Sequence, residues 1–107
     1  IEGKCRVTGV SDLSLLVASH IKPWRVSNNE EKLDGHNGLL VSPHVDKLFD
    51  QGKITFADDG RILAKDGDVE VVMRRWGIDP ACNVGSFKEK QRQYLRYHRQ
   101  SVFDQSA

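Results

Sequence analysis

The chain has 107 residues, 38% of them apolar and 29% charged, with a formal net charge of +1. That length allows one domain with a modest core, and no apolar stretch approaches the roughly 20 residues needed to cross a bilayer. Two cysteines exclude a four-cysteine zinc site; without a pairing signature they suit a reduced, cytoplasmic setting.

Charge is unevenly spread. Acidic residues gather in 46–70 and basic ones in 88–99, so a metal at one place and phosphates at another are compatible with a small net charge. No secretory signal is visible at the N-terminus. The chain opens on Ile1 without a methionine, so a single domain over 1–107, cut from a longer protein, is the expectation.

In chain order, Cys5-Arg6-Val7-Thr8 looks like a Cys-x-x-Cys knuckle that has lost its second cysteine, so no zinc is expected there. Leu13 to Ile21 is short, partly β-branched and followed by Pro23; it reads as a strand. Arg25 to His36 is polar and reads as an exposed loop. Gly38 to Val41 is a second short strand. Ser42-Pro43 then opens a helix, with serine at the N-cap and proline at the first helical position. That helix runs to about Asp50 and stops at Gly52.

Beyond it, Ile54-Thr55-Phe56 and Arg61-Ile62-Leu63 flank an Asp-Gly turn, which is a hairpin signal. Val69 to Trp76 reads as a short helix ending at Gly77, and 79–85 as a loop. Phe87 to Phe103 is the longest predicted helix, with Phe87, Tyr94, Leu95, His98 and Val102 near one face.

The helix after Ser42 can be resolved by angle. At about 100° per residue, with His44 at zero, Val45, Leu48 and Phe49 span roughly 40° to 140°, and Asp46 and Asp50 fall near 200° and 240°. The two aspartates are therefore adjacent beside the buried stripe and able to share a cation. His44 lies on the other flank.

Taken singly, each of these residues has an ordinary reading. Asp46 and Asp50 read as solvated acids, one of them near the positive end of a helix. His20 and His44 read as structural histidines. Asn37 reads as a turn residue, and Trp24 as a hydrophobic lid over the core rather than a base-stacking platform.

Their order is more specific. A strand ending in histidine, a polar loop, an asparagine leading a short strand and an acidic helix together resemble the HNH endonuclease family, whose core is a ββα-metal finger. One restriction-type branch carries a His-Ile-Lys-Pro-Trp segment, an Asn-Gly-Leu-Leu run and a helix ending Leu-Phe-Asp-x-Gly. Here these are His20 to Trp24, Asn37 to Leu40 and Leu48 to Gly52. Ile54-Thr55-Phe56, Asp59-Gly60 and Tyr94 to Arg99 also fit that branch.

The resemblance implies an α+β fold: the finger over about 13–52, an additional β-hairpin and a C-terminal helix. It implies metal-dependent hydrolysis of DNA phosphodiesters. His20 would be the general base and Asn37 the residue that braces the finger and orients it. The family's helical metal position falls nine residues after the asparagine, at Asp46, and some relatives add a ligand at the place of Asp50. A carboxylate pair favours Mg²⁺ or Mn²⁺. His44, the third residue in a literal His–Asn–His reading, is a minor ligand candidate. Lys22, Arg25 and Lys47 are the candidate phosphate contacts.

Many relatives carry Asp or His just before the base, where this chain has Ser19. That departure keeps a non-catalytic DNA-binding module in play, and an interbacterial nuclease toxin shares the chemistry. DNA is the expected partner. No base-reading element is visible, which leaves room for a homodimer or an additional recognition domain.

Overall fold

The computed structural model describes residues 3–105. Among them are two two-stranded antiparallel sheets and four α-helices, an α+β arrangement. Strand β1 (Val17–His20) pairs with β2 (Gly38–Val41), Val17 opposite Val41 and His20 opposite Gly38. This sheet is shorter than the apolar run Leu13 to Ile21 suggests. The partner strand sets the limit: β2 ends where Ser42-Pro43 turns into a helix, and proline brings no donor. Leu13–Leu15 instead forms a 3₁₀ turn, with the Asp12 carboxylate accepting from the Ser14 N–H at 3.0 Å.

The polar stretch that separates the strands is not a plain loop. It holds 3₁₀ turns at Trp24–Val26 and Gly35–Asn37, with helix α1 (Asn29–Leu33) between them. Asn28 and Glu31 make a reciprocal capping box: Asn28 Oδ1 accepts from the Glu31 N–H at 2.8 Å, and Glu31 Oε1 from the Asn28 N–H at 2.9 Å. The Asn-x-x-Glu spacing carries this signal. Even five residues of helix can persist when their orphan groups are satisfied in this way.

Helix α2 (Pro43–Asp50) lies where the sequence puts it and buries Val45, Leu48 and Phe49. Ser42 occupies the N-cap position, but its hydroxyl bonds Thr8 Oγ1 at 2.7 Å instead of a helical N–H. The Cys5 turn is thereby tied to the finger. Arg6 fastens the same turn to residues 84–87. Its guanidinium donates to the carbonyls of Val84, Gly85 and Ser86 and lies 4.2 Å over the Phe87 ring.

Strands β3 (Ile54–Phe56) and β4 (Ile62–Ala64) form the second sheet. Gly60 closes their turn at φ +95°, and a Cβ there would fall 2.4 Å from the Gly85 carbonyl oxygen. Helix α3 (Gly67–Arg75) is capped by Asp66, which accepts from the Val69 N–H at 2.9 Å.

Helix α4 (Glu89–Tyr97) is shorter than the expected Phe87-to-Phe103 helix; the chain continues as a π-helical segment, His98–Phe103. The change of winding coincides with His98, which is buried and stacked on Phe49 at 3.8 Å. Its Nδ1 accepts from the Thr55 hydroxyl at 2.7 Å and its Nε2–H donates to the Phe49 carbonyl at 2.8 Å. Burial holds this imidazole at a pKa of about 4, so it is a neutral core residue.

The buried apolar residues form one connected cluster running from Cys5 through α2 and both sheets to Leu95. Among the described residues no helix is long and apolar enough to cross a membrane.

Candidate active site

Strand β1, the turn after it and one face of α2 enclose an open cleft of about 420 Å³. Its walls are Val17, Ala18, Ser19, His20, Pro23, Trp24, Arg25, Asp46 and Asp50. The proposed base and both helical carboxylates thus share one cavity. The helix period is the reason the aspartates arrive together: Asp46 and Asp50 are one turn apart, on the flank of α2 next to its buried stripe.

His20 is half-buried. Its Nε2 lies 3.2 Å from the carbonyl oxygen of Lys32, in the last turn of α1. A carbonyl can only accept, so Nε2 carries the proton in the neutral ring and Nδ1 is the basic nitrogen. Among the described residues no hydrogen bond reaches Nδ1. The ring also meets the Trp24 indole edge to face, with centroids 5.2 Å apart.

Asn37 is wholly buried. Its Oδ1 accepts from the Lys22 N–H at 2.8 Å, and its Nδ2 donates to the Glu31 carbonyl at 3.0 Å. The Asn37 carbonyl accepts from the Ile21 N–H at 3.0 Å. The asparagine therefore holds the chain just after His20 and the helix on which His20 rests. Two consecutive carbonyls of α1 thus face the asparagine and the histidine, that of Glu31 accepting also from the Asp34 N–H at 3.3 Å.

The carboxylates of Asp46 and Asp50 have no hydrogen bond or ion pair among the described residues. They are hard oxygen donors open to the cleft, a donor type suited to a hard divalent cation. No cluster of three or more His, Cys, Asp or Glu side chains suited to a metal occurs among the described residues. Two carboxylates would hold such a cation only in part and leave its other positions to water and phosphate oxygens.

His44 is not in the cleft. It lies against Trp76 of the segment after α3, ring centroids 5.6 Å apart. Its place on the opposite flank of α2 accounts for the separation.

The three candidate phosphate contacts differ in their surroundings. Arg25 is exposed on the cleft wall, without an ion pair among the described residues. Lys22 is held by both Glu31 carboxylate oxygens, at 2.9 and 2.8 Å, and sits 5.0 Å from the Tyr97 ring centre. Lys47 is exposed and lies outside the cleft wall.

Trp24 is not a lid over the core. It is 55% exposed, on the rim of the cleft. The local reason is Pro23, whose fixed φ starts a 3₁₀ turn that carries the indole outward. The α1 carbonyl that fixes the His20 tautomer could not be read from the sequence, although the capping box that builds α1 could.

A two-stranded sheet packed against a helix, with histidine on the strand and carboxylates on the helix, defines a ββα finger. Residues 5–57 match the family model of the HNH endonucleases. The match opens at the Cys5 turn, closes just past β3 and takes in every residue of the cleft. No curated protein matches the chain.

Proposed function

We propose that the chain is a metal-dependent DNA endonuclease, of restriction type, working through the cleft between β1 and α2. The observation that carries the reading is that His20, Asp46 and Asp50 line one cavity inside the HNH-matching segment.

His20 acts as the general base. With Nε2–H engaged by the Lys32 carbonyl, Nδ1 takes the proton from the attacking water. The same Nε2–H bond persists when the ring becomes doubly protonated, so the imidazole keeps its aim through the step. Asn37 positions the base through the backbone after it and through α1. Asp46 and Asp50 hold the divalent cation, Mg²⁺ or Mn²⁺, without His44. When bound, that cation neutralises the phosphate and the leaving oxygen. Arg25 leads the phosphate contacts; Lys22 and Lys47 add to the field around the cleft.

Plasmid nicking in Mg²⁺ by the wild-type chain and by His20→Ala tests this. General-base removal is expected to cost roughly 100-fold or more. Equal nicking by the two proteins would overturn the assignment.

A second reading, DNA docking without cleavage, is favoured by Ser19. This residue stands where many relatives supply a ligand, and it is 7% exposed. In that case the wild-type chain binds DNA, takes up no Mn²⁺ by calorimetry and nicks nothing.

A further inference from the structure

Trp24 is the largest exposed side chain on the cleft, and general base catalysis gives it nothing to do. Its surroundings are specific. The Lys32 ammonium stands 4.5 Å from the indole centre, and the neighbouring Arg25 is an unpaired cation among the described residues. The turn beneath it is locked. Val26 N–H donates to the Pro23 carbonyl at 3.1 Å, and Ser27 N–H to the Trp24 carbonyl at 3.2 Å. The buried Ser27 hydroxyl is within bonding distance of the Pro23 and Lys22 carbonyls, at 3.0 and 3.2 Å. An indole on such a turn is already ordered, so a planar ligand meets it at small entropic cost.

The cleft also continues. Pro23, Arg25 and Asp50 form a shared wall with a second hollow of about 270 Å³, lined further by Gln51, Ser101, Val102 and Gln105. A strand crossing the two carboxylates has somewhere to go on leaving them.

From this geometry we infer that Trp24 is a nucleobase-stacking subsite. It receives an unstacked base of the strand in the cleft on the indole face away from Lys32, while Arg25 and Lys32 face the adjoining phosphates. The inference rests on the DNA reading above and adds to it a contact with bases. Stacking on an indole is indifferent to base identity, because every base has a π face. The subsite therefore supplies grip on a locally opened strand and carries no sequence code. A protein partner is less well matched, since the indole is flanked by the cations Arg25 and Lys32, which suit a polyanion.

The chain has two tryptophans, so the emission of the wild type minus that of W24F reports Trp24. In chelator, to prevent cleavage, the protein is titrated with a short oligothymidylate and with an all-abasic oligomer of equal length. Binding is followed independently by anisotropy of the labelled oligomers. The expected result is quenching of Trp24 by oligothymidylate and little by the abasic oligomer at equal saturation. W24A should bind oligothymidylate roughly tenfold or more weakly, with abasic affinity unchanged. Equal quenching by both oligomers would overturn the subsite and leave the DNA reading standing. So would equal weakening of both by W24A, which would mark Trp24 as a support for His20. Binding of neither oligomer, in chelator or with Ca²⁺ in place of Mg²⁺, removes the DNA reading and the subsite together.

Discussion

His20 and Asn37 bind neighbouring carbonyls of the same short helix: Nε2 of the histidine on Lys32 at 3.2 Å, Nδ2 of the asparagine on Glu31 at 3.0 Å. No hydrogen bond joins the two side chains, yet α1 cannot shift without moving both. This gives the asparagine a physical means of orienting the base at one remove. Asn37→Ala should strand the Lys22 N–H and remove one of the two donors to the Glu31 carbonyl, at about 1–3 kcal/mol in all. Where the variant is still folded, kcat should fall by up to roughly 100-fold through misplacement of the ring, with KM little changed. Urea titration and steady-state nicking measure the two effects. Lost stability with an intact kcat would reduce Asn37 to a structural residue.

The carboxylates on α2 can be tested apart from folding. Asp46→Asn and Asp50→Asn alter side chains without a hydrogen bond or ion pair among the described residues, so each should change stability by no more than about 1 kcal/mol, Asp46 through the helix end it faces. Each should weaken Mn²⁺ uptake in calorimetry, and the double variant should abolish it. His44→Ala, changed outside the cleft, should leave the Mn²⁺ isotherm as it is. Loss of Mn²⁺ binding in His44→Ala alone would transfer the site to the other flank of the helix.

Stability should fall as the solution is acidified through a window set by His98. Burial keeps its folded pKa near 4 against an ordinary 6.5. Above the upper value neither state binds a proton there, and the contribution is complete. Between the two values the unfolded chain takes up a proton that the native core refuses, so stability drops by about 1.4 kcal/mol per pH unit. The total is about 3 kcal/mol, and the slope ends below the lower value. Urea midpoints across the window should show this fall. His98→Gln, though less stable at neutral pH, should lack that part of the slope.

Gly60→Ala should be among the more damaging small substitutions outside the cleft. The left-handed backbone alone costs about 1–3 kcal/mol for a side-chain-bearing residue. The new methyl would also meet the Gly85 backbone, which cannot swing aside as a flexible side chain can. A thermal melt measures the loss. An unchanged midpoint would mean that the 83–86 segment yields freely.

What could be read along the chain was whatever obeys a short period or a turn rule. Helix α2, its buried stripe, the adjacency of Asp46 and Asp50 and the exile of His44 follow from 3.6 residues per turn. The turn at Gly60 and the end of α2 at Gly52 follow from glycine's access to positive φ. The order of histidine, asparagine and acidic helix was enough to point to the finger, because each feature is local.

Contacts between distant residues had no such signature. The length of β1 was decided by its partner strand, 21 residues further on from Val17 to Gly38. The tautomer of His20 depended on a carbonyl 12 residues away, and the winding of the last helix changes where a histidine meets Thr55 and Phe49. Trp24 is not the lid over the core that its hydrophobicity suggests, because hydrophobicity says what a side chain prefers, whereas chain closure decides what it reaches. Sequence alone determined the parts of the finger and their register along the chain. Only the tertiary structure decided which of them look into one cavity, since that depends on packing distances no local pattern encodes.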